Sequence, residues 1–140
     1  ADVVETVVSD YKNRYPNRHI EASGDQDMFI EGDELLIQIA LSNLIDNALK
    51  YAPKESTVYV DLMNDNDNIQ VKVSDEGSGV PDEEKQKIFE KFYRSGNENT
   101  RKAKGTGLGL YLTRKIITDH NGDIFVMDNT PHGSIFVIQF

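Results

Sequence analysis

Several residue types are missing or scarce in this chain of 140 residues, and each absence narrows what the chain can be. There is no cysteine, which excludes disulfides and thiolate metal sites and is compatible with a cytosolic compartment. No apolar run reaches the length of a membrane span, and no signal peptide is visible. Hydrophobic residues make up 38% and charged residues 28%, which is typical of a soluble globular domain. We therefore expect one domain over residues 1–140, cytoplasmic and without direct membrane contact.

Positive charge is also scarce, because 15 Lys and Arg residues stand against 24 Asp and Glu residues, for a net charge of −9. This balance argues against a nucleic-acid partner, since binding to a phosphate backbone needs a basic face. The basic residues are unevenly spread, however, and several fall between residues 94 and 104, with Lys50, Arg114 and Lys115 available to join them. Residues 94–104 contain a single apolar side chain, so we expect a mobile loop there. An acidic chain with a local cationic pocket fits a small polyanion.

The segment from Asp33 to Ala52 predicts the central helix, with Asp33 as N-cap and Pro53 after its end. Its apolar residues form one broad face at helical spacing: Ile37, Leu41, Leu44, Ile45, Ala48 and Leu49. Leu36, Ile39 and Ala40 extend this face, so we expect the helix to be buried nearly all round.

One line of polar residues interrupts that helix, and we call Asn43, Asn47 and Lys50 the carboxamide stripe. Two interpretations remain open for it. The asparagines either face solvent or bond to nearby loops, or they offer neutral oxygen ligands to a hard cation while Lys50 attracts an anion.

The remaining pattern predicts two more long helices, one short helix and several strands. The helices are expected at Asp2 to Tyr15, at Asp82 to Phe92, and from Gly105 to about His120, the last with Leu108, Leu112 and Ile116 inward and Asn121-Gly122 as a left-handed cap. The strand candidates are His19 to Ala22, Met28 to Ile30, Val58 to Met63, Ile69 to Val73, Ile124 to Met127 and Ile135 to Phe140. This order predicts a two-layer α/β (α+β) sandwich with a mixed, largely antiparallel sheet of about five strands packed on three helices.

Two glycine-rich segments could bind a ligand. Residues 105–110, Gly-Thr-Gly-Leu-Gly-Leu, place glycines at alternate positions before a helix, which suits either an anion site or a flexible hinge. They match neither the Walker loop nor the dinucleotide fingerprint. Asp75 with Gly77 and Gly79 forms either a tight turn with a solvated carboxylate or a site where the carboxylate accepts from an exocyclic amine.

Taken together and in this order, these segments resemble the nucleotide-binding boxes of the sensor histidine kinase catalytic domain. That domain has a Bergerat-type fold and belongs to the superfamily shared with gyrase, Hsp90 and MutL. The matching segments are residues 43–51 (N box), 75–79 (first glycine box), 88–94 (F box), 105–110 (second glycine box) and 133–136 (the closing segment behind adenine).

The resemblance implies that the domain binds ATP and Mg²⁺, with Asn47 as metal ligand and with Asn43 and Lys50 acting at the phosphates. It implies that Asp75 binds the adenine amino group and that residues 94–107 form a lid anchored by Phe89 and Phe92. The other nucleotide contacts that it implies are Tyr51, Gly77, Gly79, Arg94, Lys104, Gly105, Thr106, Gly107, Leu108, Gly109, Leu110 and Ser134.

One position bears on the type of reaction. Hydrolytic members of the superfamily carry a glutamate one helical turn before the metal asparagine, and Asn43 stands at that place here and is a poor base. The resemblance therefore implies that the γ-phosphoryl group goes to a histidine on a separate dimerisation domain, with a response regulator downstream. His19, His120 and His132 do not fit the acceptor pattern, and we interpret all three as structural.

The chain begins without Met inside an amphipathic pattern, so we expect a monomeric fragment of a longer parent that carries the missing acceptor domain and could be anchored to a membrane. Two alternatives remain open. The first is a serine kinase of the anti-sigma-factor type, which shares these boxes, and the second is a nucleotide sensor without transfer activity.

Overall fold

A computed structural model describes residues 2–24, 32–65, 68–90 and 109–140, and every structural statement below refers to them. The helices are α1 (Asp2–Arg14), α2 (Glu34–Tyr51) and α3 (Gly109–Asp119). The strands are β1 (His19–Gly24), β2 (Thr57–Asp65), β3 (Asn68–Asp75), β4 (Asp123–Asp128) and β5 (Ser134–Gln139). Two 3₁₀ helices, Asp82–Glu84 and Lys87–Phe89, lie between β3 and α3.

The five strands form one mixed sheet in the order β1-β2-β3-β5-β4. The pair β1–β2 is parallel, whereas β2–β3, β3–β5 and β4–β5 are antiparallel. One cross-strand row, Val60, Val73, Phe136 and Val126, is buried in the same cluster as residues of all three helices. Because a row of directly paired residues points to one side of a sheet, the helices cover one face. The predicted two-layer α+β sandwich is confirmed.

The predicted end of α3 is also found in the structure. Asn121 has a φ of 63°, and the Gly122 N–H donates to the Ile117 carbonyl at 2.9 Å. This is the left-handed cap that the Asn-Gly pair predicted. The strand candidate at residues 28–30 lies outside the described residues.

The single short helix predicted from Asp82 to Phe92 is wrong over its described part, which forms the two 3₁₀ helices instead. The first of these is an exposed acidic turn, and its following residue Lys85 reaches across to Asp128 on β4 at 2.9 Å. The second buries Ile88 and Phe89 in the core. Short 3₁₀ turns of this kind allow the chain to change direction between these two anchors, which one continuous helix would not.

Two predictions about inward-facing side chains are also wrong. Leu112 is 45% exposed, because the buried row of α3 runs through Thr113 and Ile117 instead. On α2 the predicted apolar face is buried, but Leu36 and Ile39 are exposed. These two residues lie on the side of α2 turned away from the sheet, where the described part of the chain supplies no third layer.

Among the described residues, no helix is both long enough and apolar enough to cross a bilayer.

Candidate functional site

Helix α2 carries the carboxamide stripe along the side that faces α3. The helix begins where predicted, because Asp33 Oδ1 accepts a hydrogen bond from the Leu36 N–H at 3.2 Å as the N-cap. Asn43 and Asn47 are half-buried and Lys50 is exposed. The stripe is therefore partly accessible, unlike the buried apolar face beside it.

The stripe contacts the first residue of α3. Asn43 Nδ2 donates to the Gly109 carbonyl at 3.4 Å, and the Thr113 hydroxyl donates to the same carbonyl at 2.9 Å. This use of the Asn43 amide nitrogen leaves its oxygen available. Asn47 has no hydrogen-bond partner within the part of the chain that the structure describes, so its amide oxygen is also available to a ligand.

The end of β3 turns sharply at residues 75–79, which we call the aspartate turn. Asp75 is only 3% exposed, and its Oδ1 accepts from the Gly77 N–H at 2.9 Å. Burial raises the pKa of the Asp75 carboxyl, while backbone hydrogen bonds from Gly77 and Ser134 oppose that rise. An ionised carboxyl group in this setting destabilises the folded protein unless a further donor bonds to it. Destabilised ionisable groups of this kind are common in binding sites.

The aspartate turn lies directly against the C-terminal end of α2. A Cβ atom on Gly77 would stand 2.7 Å from the Tyr51 carbonyl oxygen, so only glycine permits this approach. The Tyr51 side chain is exposed at the same end of the helix. Helix α2 thus brings the carboxamide stripe, the start of α3 and the aspartate turn together.

The loop from Asn129 to Gly133, which connects β4 and β5, lies behind the aspartate turn. Asn129 Nδ2 donates to the Asp75 carbonyl at 2.9 Å, and His132 Nδ1 lies 3.1 Å from the Gly77 carbonyl. Gly133 has a φ of 112°, and a Cβ there would stand 2.0 Å from the Asp75 carbonyl oxygen. Gly79 in turn lies close to Gly133.

The other predicted site residues that the structure describes lie around these elements. Ser134 is buried and pairs with Asp75 across the sheet. Phe89 is buried against Phe136, with ring centroids 6.2 Å apart in an edge-to-face arrangement. Leu110 is half-buried and packs on the core. Phe89 therefore packs in the hydrophobic core.

A further group of predicted site residues lies outside the described residues, so the structure does not test it. This group is the lid at residues 94–107 together with Phe92, Arg94, Lys104, Gly105, Thr106, Gly107 and Leu108.

Two of the three histidines have ring nitrogens bonded to the backbone. His120 Nε2 accepts from the Asp33 N–H at 3.0 Å, and its Nδ1 lies 2.7 Å from the Ile116 carbonyl. His132 contacts Gly77, as described above, and His19 lies exposed on β1.

Reasoning from the sequence missed several residues that shape this region. Asn129, His132 and Thr113 were not identified as part of the site, and neither was Arg18. The Arg18 guanidinium donates to the carbonyls of Leu49 at 3.1 Å and Ala52 at 3.4 Å, at the end of α2. No sequence motif predicts these contacts of Arg18, because they join residues more than 30 positions apart in the chain.

Most of the chain matches one family model. Residues 32–140 match the model of the histidine kinase-, DNA gyrase B- and HSP90-like ATPases. The chain belongs to this family. The resemblance that the sequence motifs implied is therefore confirmed, and so is the assignment to the histidine kinase-like ATPases.

Individual relatives of this ATPase domain are sensor kinases. SenX3 of Mycobacterium tuberculosis, a sensor-like histidine kinase, is 33% identical over 96% of this chain and 34% of its own length. The sensor histidine kinase WalK of Bacillus subtilis is 39% identical over 72% of this chain and 17% of its own length. The chain therefore spans about a third or less of these two proteins.

A solved structure supports the same fold. The mycobacterial sensor histidine kinase MprB matches with a TM-score of 0.87 and 26% identity, over 99% of this chain and 91% of that one.

Proposed function

We propose that this chain is the catalytic domain of a two-component sensor histidine kinase, which binds Mg²⁺-ATP and donates the γ-phosphoryl group to a histidine on a separate dimerisation domain. The observation that carries this proposal is that the aspartate turn and the start of α3 both contact α2 beside the carboxamide stripe. Gly77 of the aspartate turn lies against Tyr51 at one end of the carboxamide stripe, and Gly109 at the start of α3 accepts from Asn43 at the other. Three motifs that are distant in the sequence thus meet along one helix.

We assign the aspartate turn to the purine. A buried carboxylate whose Oδ1 is already held by the Gly77 N–H can accept from an exocyclic amine without first being ordered. The raised pKa of Asp75 is offset by such a donor, since a hydrogen bond to the charged form favours it. Gly77 and Gly79 bear no side chains that would obstruct a flat ring.

We assign the carboxamide stripe to the phosphates and the metal. Mg²⁺ prefers oxygen ligands and retains several waters, so the amide oxygen of Asn47, which has no partner among the described residues, fits it together with phosphate oxygens. The described residues contain no cluster of three His, Cys, Asp or Glu side chains that could hold a metal instead. When bound, Mg²⁺ would neutralise phosphate charge. Lys50 and the second N–H of the Asn43 amide would contact the phosphates, and the positive end of the α3 dipole would add to this attraction.

The transfer step needs little covalent chemistry from this domain. An imidazole nitrogen of the acceptor attacks the γ-phosphorus, the bond to the bridging β,γ-oxygen breaks, and ADP leaves with the electron pair. The domain contributes position and charge. Asn43 is a poor base, so the site lacks the usual activator of a hydrolytic water.

Phosphorylation with γ-³²P-labelled ATP tests the proposal. The isolated chain should bind ATP or ADP as a monomer and incorporate no label. Adding the dimerisation domain of the parent protein should produce one labelled histidine, whose phosphate is labile in acid and stable in base. An acid-stable label on a serine of a partner protein would favour the anti-sigma-factor type of kinase. Binding without transfer to any acceptor would favour a nucleotide sensor.

A response regulator that takes the phosphoryl group from this histidine completes the proposed pathway. We also propose that the fragment acts in the cytoplasm and that its parent supplies any membrane anchor.

A further inference from the structure

The loop between β4 and β5 has two side chains that the proposed function does not use. Asn129 Nδ2 donates to the Asp75 carbonyl at 2.9 Å, and His132 Nδ1 lies 3.1 Å from the Gly77 carbonyl. A carbonyl oxygen only accepts, so the His132 Nδ1–H is the donor. One loop therefore holds both ends of the segment from Asp75 to Gly77.

This arrangement fixes the direction of the Asp75 carboxylate. Its Oδ1 accepts from the Gly77 N–H, which belongs to the same short segment. The two held carbonyls belong to the peptide groups on either side of the one that contains this N–H, so holding both restricts the rotation of the middle peptide group and of the carboxylate bonded to it. The two loop side chains therefore control the carboxylate through the backbone.

The loop is itself well fixed. The Asn129 side-chain oxygen accepts from the Thr130 N–H at 2.9 Å, which leaves its amide nitrogen pointing towards Asp75. The Asn129 N–H donates to the Gly133 carbonyl at 3.0 Å and closes the loop. Gly133 then packs directly on the Asp75 backbone.

We propose that Asn129 and His132 are positioning residues that aim the Asp75 carboxylate, so that this loop sets how strongly the site prefers a 6-amino purine to a 6-oxo purine. The inference rests on the proposed function, which assigns Asp75 to the purine amino group. Neither Asn129 nor His132 contacts the nucleotide. They act on the ring through Asp75 alone.

The test compares adenosine diphosphate with inosine diphosphate, which differ at purine position 6. Calorimetry with Mg²⁺ gives the dissociation constant of each for the 140-residue chain, and their ratio measures discrimination. The variants His132→Leu and Asn129→Ala should each lower this ratio by about three- to tenfold, the range expected for one lost hydrogen bond. The affinity for the inosine compound should change little. A general loss of structure would instead weaken the binding of both nucleotides alike, because they share the ribose and phosphates.

Two further variants serve as controls. His132→Asn retains a donor where Nδ1 stood and should keep most of the discrimination. His19→Leu removes an exposed histidine on β1, which does not contact the aspartate turn, and should leave the ratio unchanged. Without nucleotide, the NMR amide signal of Gly77 should shift in His132→Leu and stay close to its normal position in His132→Asn.

The outcomes separate the inference from the proposed function. If the unmodified chain prefers the adenine compound and both loop variants keep that preference, the inference is wrong and the purine assignment stands. If the unmodified chain shows no preference, or binds neither nucleotide, the purine assignment of Asp75 fails and the inference fails with it.

Discussion

The aspartate turn and the carboxamide stripe meet at α2, yet they are built differently. In the turn, the Asp75 carboxylate, the Asp75 carbonyl and the Gly77 carbonyl each have a protein partner within 3.1 Å. In the stripe, the described partner is a single carbonyl at 3.4 Å from Asn43. Protein partners alone hold the turn in place, whereas the amide oxygens of the stripe have no hydrogen-bond partner among the described residues.

This difference fits two kinds of task. Selecting one purine requires an acceptor in a fixed direction, and ordering it in advance lowers the entropic cost of binding. A hydrated cation changes its coordination during transfer, so side chains with available oxygens suit it better, while Lys50 attracts the phosphates. Four experiments probe the two regions, in decreasing order of the effect that we expect.

The largest effect is expected for Gly133→Ala. The added Cβ would stand 2.0 Å from the Asp75 carbonyl oxygen at a φ of 112°, so the turn would have to shift. We expect the free energy of unfolding to fall by about 3 kcal/mol or more. Urea denaturation measures it. Gly109→Ala is the matched control because, apart from its chain neighbours and its own helix backbone, no described atom lies within 4 Å of the added Cβ, and it should be neutral or slightly stabilising. A loss below about 1 kcal/mol for Gly133→Ala would show that the turn is not held rigidly.

The next effect concerns binding at the same turn. Asp75→Asn should weaken the binding of ADP about 100-fold, since it replaces an ionic acceptor by an amide that also presents a donor to the purine amine. Stability at pH 7 should change by no more than about 1 kcal/mol, because the ionised carboxyl is unfavourably buried. Calorimetry measures the affinity. Asp119→Asn, an exposed change on α3, should have no effect. Equal affinity in Asp75→Asn and the unmodified chain would refute the purine assignment.

In the stripe, Asn47→Ala should weaken nucleotide binding about tenfold in Mg²⁺ and leave it unchanged in EDTA. The fold should persist, since the Asn47 side chain makes no hydrogen bond to another described residue. Parallel titrations in the two buffers make the measurement. Gln38→Ala on the same helix is the control. A similar loss with and without Mg²⁺ would mean that Asn47 does not act through the metal.

The smallest effect is a pH dependence of stability. Because burial raises the pKa of Asp75, the folded protein holds this proton more tightly than the unfolded chain. The resulting contribution to stability is complete below the unfolded pKa of about 4 and is lost as the pH rises through the folded pKa. The unmodified chain should therefore lose stability relative to Asp75→Asn between pH 4 and pH 7. Urea unfolding of both proteins across this range measures it, and a relative gain would contradict the burial argument.

The two regions also differ in how far the sequence predicts them. The stripe follows from local rules, because Asp33 as N-cap and the helical spacing of the asparagines fix α2. The apolar pattern of α3 does not predict which face of this helix is buried. Thr113 takes the inward position that Leu112 was expected to occupy. It can be buried there because its hydroxyl donates a hydrogen bond to the Gly109 carbonyl within the helix.

The aspartate turn shows more clearly which contacts the sequence does not predict. Its glycines and carboxylate are visible in the sequence, but its supports, Asn129 and His132, lie more than 50 positions away. Their contacts arise only because β3 and β4 both pair with β5, which brings the β4–β5 loop to the end of β3. Such partners depend on the sheet topology rather than on any local pattern.

The most direct test is a crystal structure of this chain with Mg²⁺ and a non-hydrolysable ATP analogue. We predict the purine amino group within hydrogen-bond distance of the Asp75 carboxylate and the metal beside the Asn47 amide oxygen. Nucleotide bound in another cleft, or a purine turned away from Asp75 with the phosphates in its place, would contradict the account.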